Sequence, residues 1–270
     1  MSERTRFGPA GVPPMFRLMG ATTIDVPKLL HEEGLDAFEY QASRWGAKPQ
    51  IKQIDAQRLG EEARRNDVKL SMHGSYFINL SGKPEVVEAS KQRLLACATA
   101  ADWMGAYVVV FHMGFYGKFE KSYAFKQCMD GLKEVNAEIK QLGLKVKLGP
   151  ETMGRKSQVG TIDEILAFNR EVEGTQLVID WGHLHALHQG AFRKMEDMRA
   201  IAEKVERELG TEAKRRFGSR VGYFGPLRKR IFGRMGGGNG IFGGRAVGLG
   251  SETLPGGLTS SCRTFSASQS

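Results

Sequence analysis

Four short apolar runs each end on a side chain of a type that binds metal ions. They are Lys69-Leu-Ser-Met-His73, Tyr107-Val-Val-Val-Phe-His112, Lys145-Val-Lys-Leu-Gly-Pro-Glu151 and Gln176-Leu-Val-Ile-Asp180-Trp-Gly-His183. Runs this short suit strands, and the long charged segments between them suit helices. The pattern predicts strands at Arg6–Gly11, Asp36–Gln41, Lys69–Gly74, Tyr107–His112, Lys145–Glu151 and Gln176–Gly182. Helices are expected at Ile24–Glu33, Asp55–Asn66, Glu85–Met104, Lys121–Leu142, Thr161–Val172 and Phe192–Leu209. Thr161 with Glu164 three residues on reads as a capping box at the start of the fifth. Strands alternating with helices imply a parallel sheet, and so many units favour a closed barrel. The expected fold is therefore α/β, a (β/α)8 barrel that is incomplete, with six βα units visible over residues 6–210. In such a barrel the C-terminal strand ends converge on one rim, where active sites are built.

The chain has 270 residues, 41% of them hydrophobic, enough for one large core or one barrel of ordinary size. No stretch approaches the roughly 18 apolar residues of a membrane span. The N-terminus shows no basic segment followed by an apolar core, so no secretory signal is expected. Cys97, Cys128 and Cys262 are an odd, scattered set without a C-x-x-C pair, which suits a reducing, cytoplasmic setting. Neither a membrane nor an obligate protein partner is expected.

The net charge of +9 is unevenly spread. Residues 215–270 hold nine Lys/Arg against the single acid Glu252, leaving +1 for residues 1–214. On the sequence alone, any electrostatic case for nucleic-acid binding rests on this tail. It also holds 14 of the 34 glycines and shows no helical or strand period. The boundary is placed at Lys214, with a barrel domain over 1–214 and a basic, Gly-rich segment over 215–270. That segment reads either as a disordered low-complexity tail or as a shifted reading frame. Codons for Val247–Pro255, read one nucleotide later, permit Leu-Gly-Leu-Gly-Leu-Lys-Pro, an ordinary helix end.

His73 and His112 end successive strands. A single strand-end histidine is commonly a packed structural group, and two in succession favour ligands. Glu151 follows Gly149-Pro150, where the backbone leaves the strand; a solvated loop acid is the alternative. Asp180-x-x-His183 puts a carboxylate and an imidazole within one turn. Three imidazoles and two carboxylates form a mixed nitrogen and oxygen set suited to zinc, manganese or iron. The lack of cysteine among them favours an open site over a closed structural zinc. His185 and His188 follow too quickly to face the same centre and are read as supporting or surface groups. Tyr76, Phe77 and Asn79 lie just beyond a strand end, as loop packing or as a platform for an unstacked nucleotide. Small residues in Phe7-Gly8-Pro9-Ala10-Gly11 allow a ligand to approach closely, or form a barrel-bottom turn.

At these residues the chain resembles the endonuclease IV family, a branch of the xylose-isomerase-like barrels. The matching segments are Phe7–Gly11, His73-Gly-Ser-Tyr76-Phe-Ile-Asn79-Leu, Phe111-His112-Met-Gly114, Pro150-Glu151-Thr-Met-Gly154 with Ser157-Gln-x-Gly160, and Asp180-Trp-Gly-His183-Leu-His-Ala186. The resemblance implies a hydrolase that cuts double-stranded DNA 5′ to an abasic site, using up to three metal ions, usually zinc, with manganese as the alternative. It places His73 and His112 on one metal, Glu151 as a catalytic bridge between two, and Asp180 and His183 on a second. Tyr76, Phe77 and Asn79 match the loop that the family uses against DNA. The family's further ligands, from its last strands, have no counterpart after residue 188, so fewer metals and weakened or absent activity are expected. The last two barrel strands have no convincing candidate, and open edges are expected at strands one and six. Two other readings remain: a metal-dependent sugar isomerase or epimerase on the same barrel, and a non-catalytic nucleic-acid-binding remnant.

Overall fold

The computed structural model describes residues 5–216, 218–221 and 246–249. The chain opens with β1 (Arg6–Pro9), α1 (Pro14–Leu18), a short 3-10 turn at Thr23–Asp25 and α2 (Val26–Glu32). It continues with β2 (Ala37–Gln41), α3 (Gln53–Arg65), β3 (Lys69–His73), α4 (Pro84–Trp103), β4 (Val108–Phe111), β5 (Gly114–Phe115) and α5 (Lys121–Gln141). Then come β6 (Lys147–Pro150), β7 (Gln158–Val159), α6 (Ile162–Glu171), β8 (Val178–Asp180), α7 (Trp181–Leu187), α8 (Met195–Leu209) and α9 (Thr211–Arg216). Two short strands follow, β9 (Gly218–Val221) and β10 (Ala246–Leu249).

β2, β3, β4 and β6 pair in parallel, in that order. Isolated parallel bridges join the β1 and β2 segments at Ala10 and Glu39, and the β6 and β8 segments at Leu148 and Thr175 and at Glu151 and Val178. The six strands of the expected βα units thus stand side by side, as the alternating pattern requires. The expected open edges at the first and sixth strands are instead covered: β9 runs parallel to β8, and β10 lies antiparallel between β9 and β1. An unpaired edge leaves a row of backbone groups unsatisfied, and any extended segment can fill it through backbone bonds whatever its side chains. That is why these two strands carry no sequence signal. The rest of 215–270, including the stretch read as low-complexity or frame-shifted, lies outside the described residues.

The alternation of side chains sorts two cores. Phe38, Leu70, Met72, Val109, Phe111, Leu148 and Ile179 point outward and pack beneath the helices with Leu59, Leu94, Met104 and Phe168. Burying a side chain of this size contributes about 1.5–3 kcal/mol, so this layer dominates the stability. The other face points into the barrel. Toward the bottom it is apolar, with Val108, Val110 and Val178 in one cluster and Ala37 packed on Ala10 and Tyr107. Further up it turns polar, with Glu39, Ser71, His73, Glu151 and Asp180 all buried. Polar groups on the inner face of buried strands are unfavourable without partners, so their gathering near one rim marks the site.

Several boundaries differ from the expected ones. The sixth strand stops at Asp180, and Trp181–Leu187 is a helix. The reason is local: the Asp180 carboxylate accepts from the His183 backbone N–H at 2.9 Å and caps that helix. The last long helix starts at Met195 rather than Phe192. β5 and β7 form an antiparallel pair that ties the loops after β4 and β6 together. The capping box at Thr161 is present, with its hydroxyl accepting from the Glu164 N–H at 3.3 Å.

Candidate metal centre

The five expected donors meet at the rim. His73, His112 and Glu151 form one group, and Glu151, Asp180 and His183 a second, with the donor atoms of each within 4.8 Å of one another. Glu151 belongs to both. Its Oε2 stands 3.0 Å from His112 Nε2 and 3.6 Å from His73 Nε2. Glu151 and His73 are fully buried, while His112 and His183 are partly open to the mouth. The imidazole planes of His112 and His183 lie 5.6 Å apart by centroid, so the two groups are continuous.

The donor set fits divalent cations in detail. His73 Nδ1 is 2.8 Å from the Gly74 carbonyl, and His183 Nδ1 is 2.8 Å from the Thr152 carbonyl. A carbonyl only accepts, so each Nδ1 carries a proton, and Nε2 is the ring nitrogen free of that backbone bond. Backbone carbonyls commonly orient metal-binding histidines in this way. Thr152 holds the second group together. Its hydroxyl accepts from the Asp180 N–H at 2.9 Å while its carbonyl fixes His183. Sequence reasoning missed Thr152, since a threonine beside a glutamate carries no signal of its own.

The Tyr76 ring covers this cluster, with centroids 4.8 Å from His73 and 5.4 Å from His112. Tyr76 and Phe77 are exposed. Asn79 has a different place: its Oδ1 accepts from the backbone N–H groups of Ser81 and Phe115, each at 3.2 Å. It braces the loop that carries the two aromatics. Gly114, at φ +147°, makes room for it, because a Cβ there would stand 2.3 Å from Asn79 Oδ1. The Phe7–Gly11 segment is not a bottom turn. It runs up β1 to the rim, where Gly11 donates to the Glu39 carbonyl. His185 lies within α7 and His188 just after it, apart from both donor groups.

The loops that follow the strands carry more bases than acids. The loops that follow the strands carry exposed Arg44, Lys48, Lys52, Lys83, Lys118, Arg155 and Lys156, with Lys121 opening α5. Apart from Glu151, the acid in the loops after β2, β3, β4 and β6 is Glu120. The loops at the opposite end carry Glu33, Asp36, Asp67 and Glu173 against Lys145. The basic face is therefore built into the barrel itself, and does not rest on the tail as the sequence alone suggested.

Fold and site together define a barrel with a metal-type centre at its C-terminal rim. The chain belongs to the xylose isomerase-like TIM barrel family, whose model matches residues 27–224. The chain is 30% identical to protein MJ0133 of Methanocaldococcus jannaschii over 208 residues, covering 77% of this chain and 72% of that one. Endonuclease IV from Thermus thermophilus superposes with a TM-score of 0.57 at 19% identity, covering 76% of this chain and 71% of that one. A D-psicose 3-epimerase from Clostridium cellulolyticum superposes with a TM-score of 0.53 at 15% identity over 68% of this chain. The chain spans 65% of that epimerase's length. Among the described residues no helix is long and apolar enough to cross a membrane.

Proposed function

We propose that this protein is a metal-dependent endonuclease that hydrolyses the DNA backbone 5′ to an abasic site. The observation that carries the reading is the pair of donor groups sharing Glu151 beneath a cationic rim. Divalent ions such as zinc or manganese, held there, would supply hydroxide at neutral pH and neutralise charge on the phosphate and leaving oxygen. Glu151 joins the two groups and fixes their spacing. His73 and His112 present Nε2 to one, and Asp180 and His183 complete the other. The donors number five, from two groups, so two cations is the expected complement.

The rim supplies the rest. Lysines and arginines around the mouth suit the phosphates of a duplex, and contacts of this kind position a nucleic acid without reading its sequence. Exposed Tyr76 and Phe77 offer an apolar wedge beside the donors, on a loop that Asn79 holds in shape. An abasic nucleotide lacks its base, so extruding it costs less stacking energy, which gives selectivity. A sugar epimerase has no need of a basic rim, since its substrate is small and neutral.

Incision of a duplex carrying one abasic site, with zinc or manganese supplied, tests this. Nicking 5′ to the site, abolished by EDTA and by His112→Ala, is the expected result. Turnover of a ketohexose without any nicking would transfer the site to the epimerase class, and salt-sensitive DNA binding without turnover would leave a binding protein.

A further inference from the structure

Below the rim, β2 carries a polar pair that neither donor group includes. Ala37, Glu39 and Gln41 alternate onto the barrel interior, while Phe38 and Tyr40 pack toward the helices. Glu39 is 0% exposed, whereas Gln41 is only half-buried. The parallel register sets Glu39 beside Ser71 and Gln41 beside His73. Gln41 Nε2 donates to Glu39 Oε1 at 2.8 Å. Gly11 closes on the far flank, where a Cβ would stand 3.3 Å from the Gln41 Cγ.

The chemistry of the pair decides which way the amide faces. A carboxylate only accepts hydrogen bonds and an amide nitrogen only donates them. Holding Nε2 against Glu39 leaves the carbonyl oxygen of Gln41, the residue that the register sets beside His73, turned away from Glu39. A buried carboxylate in the interior of a barrel is unfavourable in itself, so its use here asks for a return. What it provides is a fixed hydrogen-bond acceptor on the strand next to the one that carries His73.

Phosphate oxygens and the ring oxygen of deoxyribose are acceptors and cannot pair with such a group. The anomeric hydroxyl of an abasic deoxyribose is a donor that an intact nucleotide lacks. We propose that Gln41 is a substrate-contact residue that accepts a hydrogen bond from this hydroxyl, and that Glu39 is the positioning residue that orients it. The proposal rests on the endonuclease reading above and adds to it a way of recognising the lesion.

The test is steady-state incision of two duplexes that differ in one group, one with a natural abasic deoxyribose and one with a tetrahydrofuran, which lacks the hydroxyl. Metal content is measured for each variant. Gln41→Leu is expected to retain its metal and to lose more on the natural duplex than on the tetrahydrofuran duplex, by about threefold to tenfold in kcat/KM, carried by KM. Glu39→Gln removes the buried charge without changing shape. It is expected to keep its melting temperature and to show a smaller loss of the same discrimination, because a glutamine at 39 accepts either orientation of the Gln41 amide. Equal losses on both duplexes would overturn the proposal and leave the endonuclease reading standing. Wild-type protein that incises neither duplex would overturn that reading, and the hydroxyl assignment with it.

Discussion

The arc of the barrel from β3 to β8 and the arc from β9 through β10 to β1 follow different rules. In the first, every strand is parallel to its neighbour and brings a donor to the rim at or just beyond its C-terminal end: His73, His112, Glu151 and Asp180. In the second, β10 runs backward between β9 and β1, and among the described residues neither donor group draws on it. Closing the ring and building the site are thus separate tasks. Backbone pairing alone can close it, whereas the metal-type donors come from side chains at and just beyond the ends of parallel strands.

The largest effect is expected at Glu151, the residue common to both donor groups. Glu151→Gln removes the shared anion, and we expect loss of bound metal together with a fall in incision on the order of a thousandfold, read by elemental analysis and a nicking assay. Retained metal with full activity would place the site elsewhere. The other arc has its own weak point at Gly8, where a Cβ would stand 1.5 Å from the Ala37 carbonyl oxygen. Gly8→Ala should destabilise the β1–β2 contact by about 3 kcal/mol, seen in denaturant unfolding, while surviving folded protein still binds metal. Folded Gly8→Ala protein that takes up no metal would show that the two tasks are not separate.

Smaller effects sharpen the account of the first arc. Thr161→Ala removes the capping hydroxyl of α6 and should cost about 1 kcal/mol in stability, with the metal stoichiometry unchanged. Arg155→Ala and Lys156→Ala should each lower the slope of log affinity against log salt for duplex DNA by about 1 without moving the incision position. Unchanged slopes would remove these cations from the DNA face. The smallest expected effect concerns Cys97 and Cys128, both fully buried under this arc. Burial disfavours the thiolate and pushes each thiol up to about 12. The raised value means that the reactive form is absent until the solution approaches that pH. Native protein at about pH 7–9 should therefore leave both cysteines unalkylated, and peptide mapping after iodoacetamide checks this.

The donor set was legible in the sequence because a parallel barrel repeats one rule: apolar run, then the group that does the chemistry. His73, His112, Glu151 and Asp180 each follow it. The path to His183 was less legible, since its position depends on Asp180 acting as a helix cap, and the sequence suggested a longer strand. Glu39 and Gln41 were missed because Asp36–Gln41 shows no metal pattern, and only the register with β3 brings Gln41 to His73. The basic rim was hidden for another reason. Acids and bases balance along residues 1–214, and only the topology gathers the basic loops that follow the strands at one end. β5 and β7 are two residues each, too short for any period, and become strands only through their partner.

The claim on which the rest depends is that these five side chains hold cations. Elemental analysis of protein purified without chelator, checked by calorimetric titration of EDTA-stripped protein with zinc, measures it directly. The account predicts about two divalent ions per chain, one for each donor group, with binding lost in Glu151→Gln. A stripped protein that takes up no zinc, or a Glu151→Gln protein that takes up as much as the wild type, would contradict it.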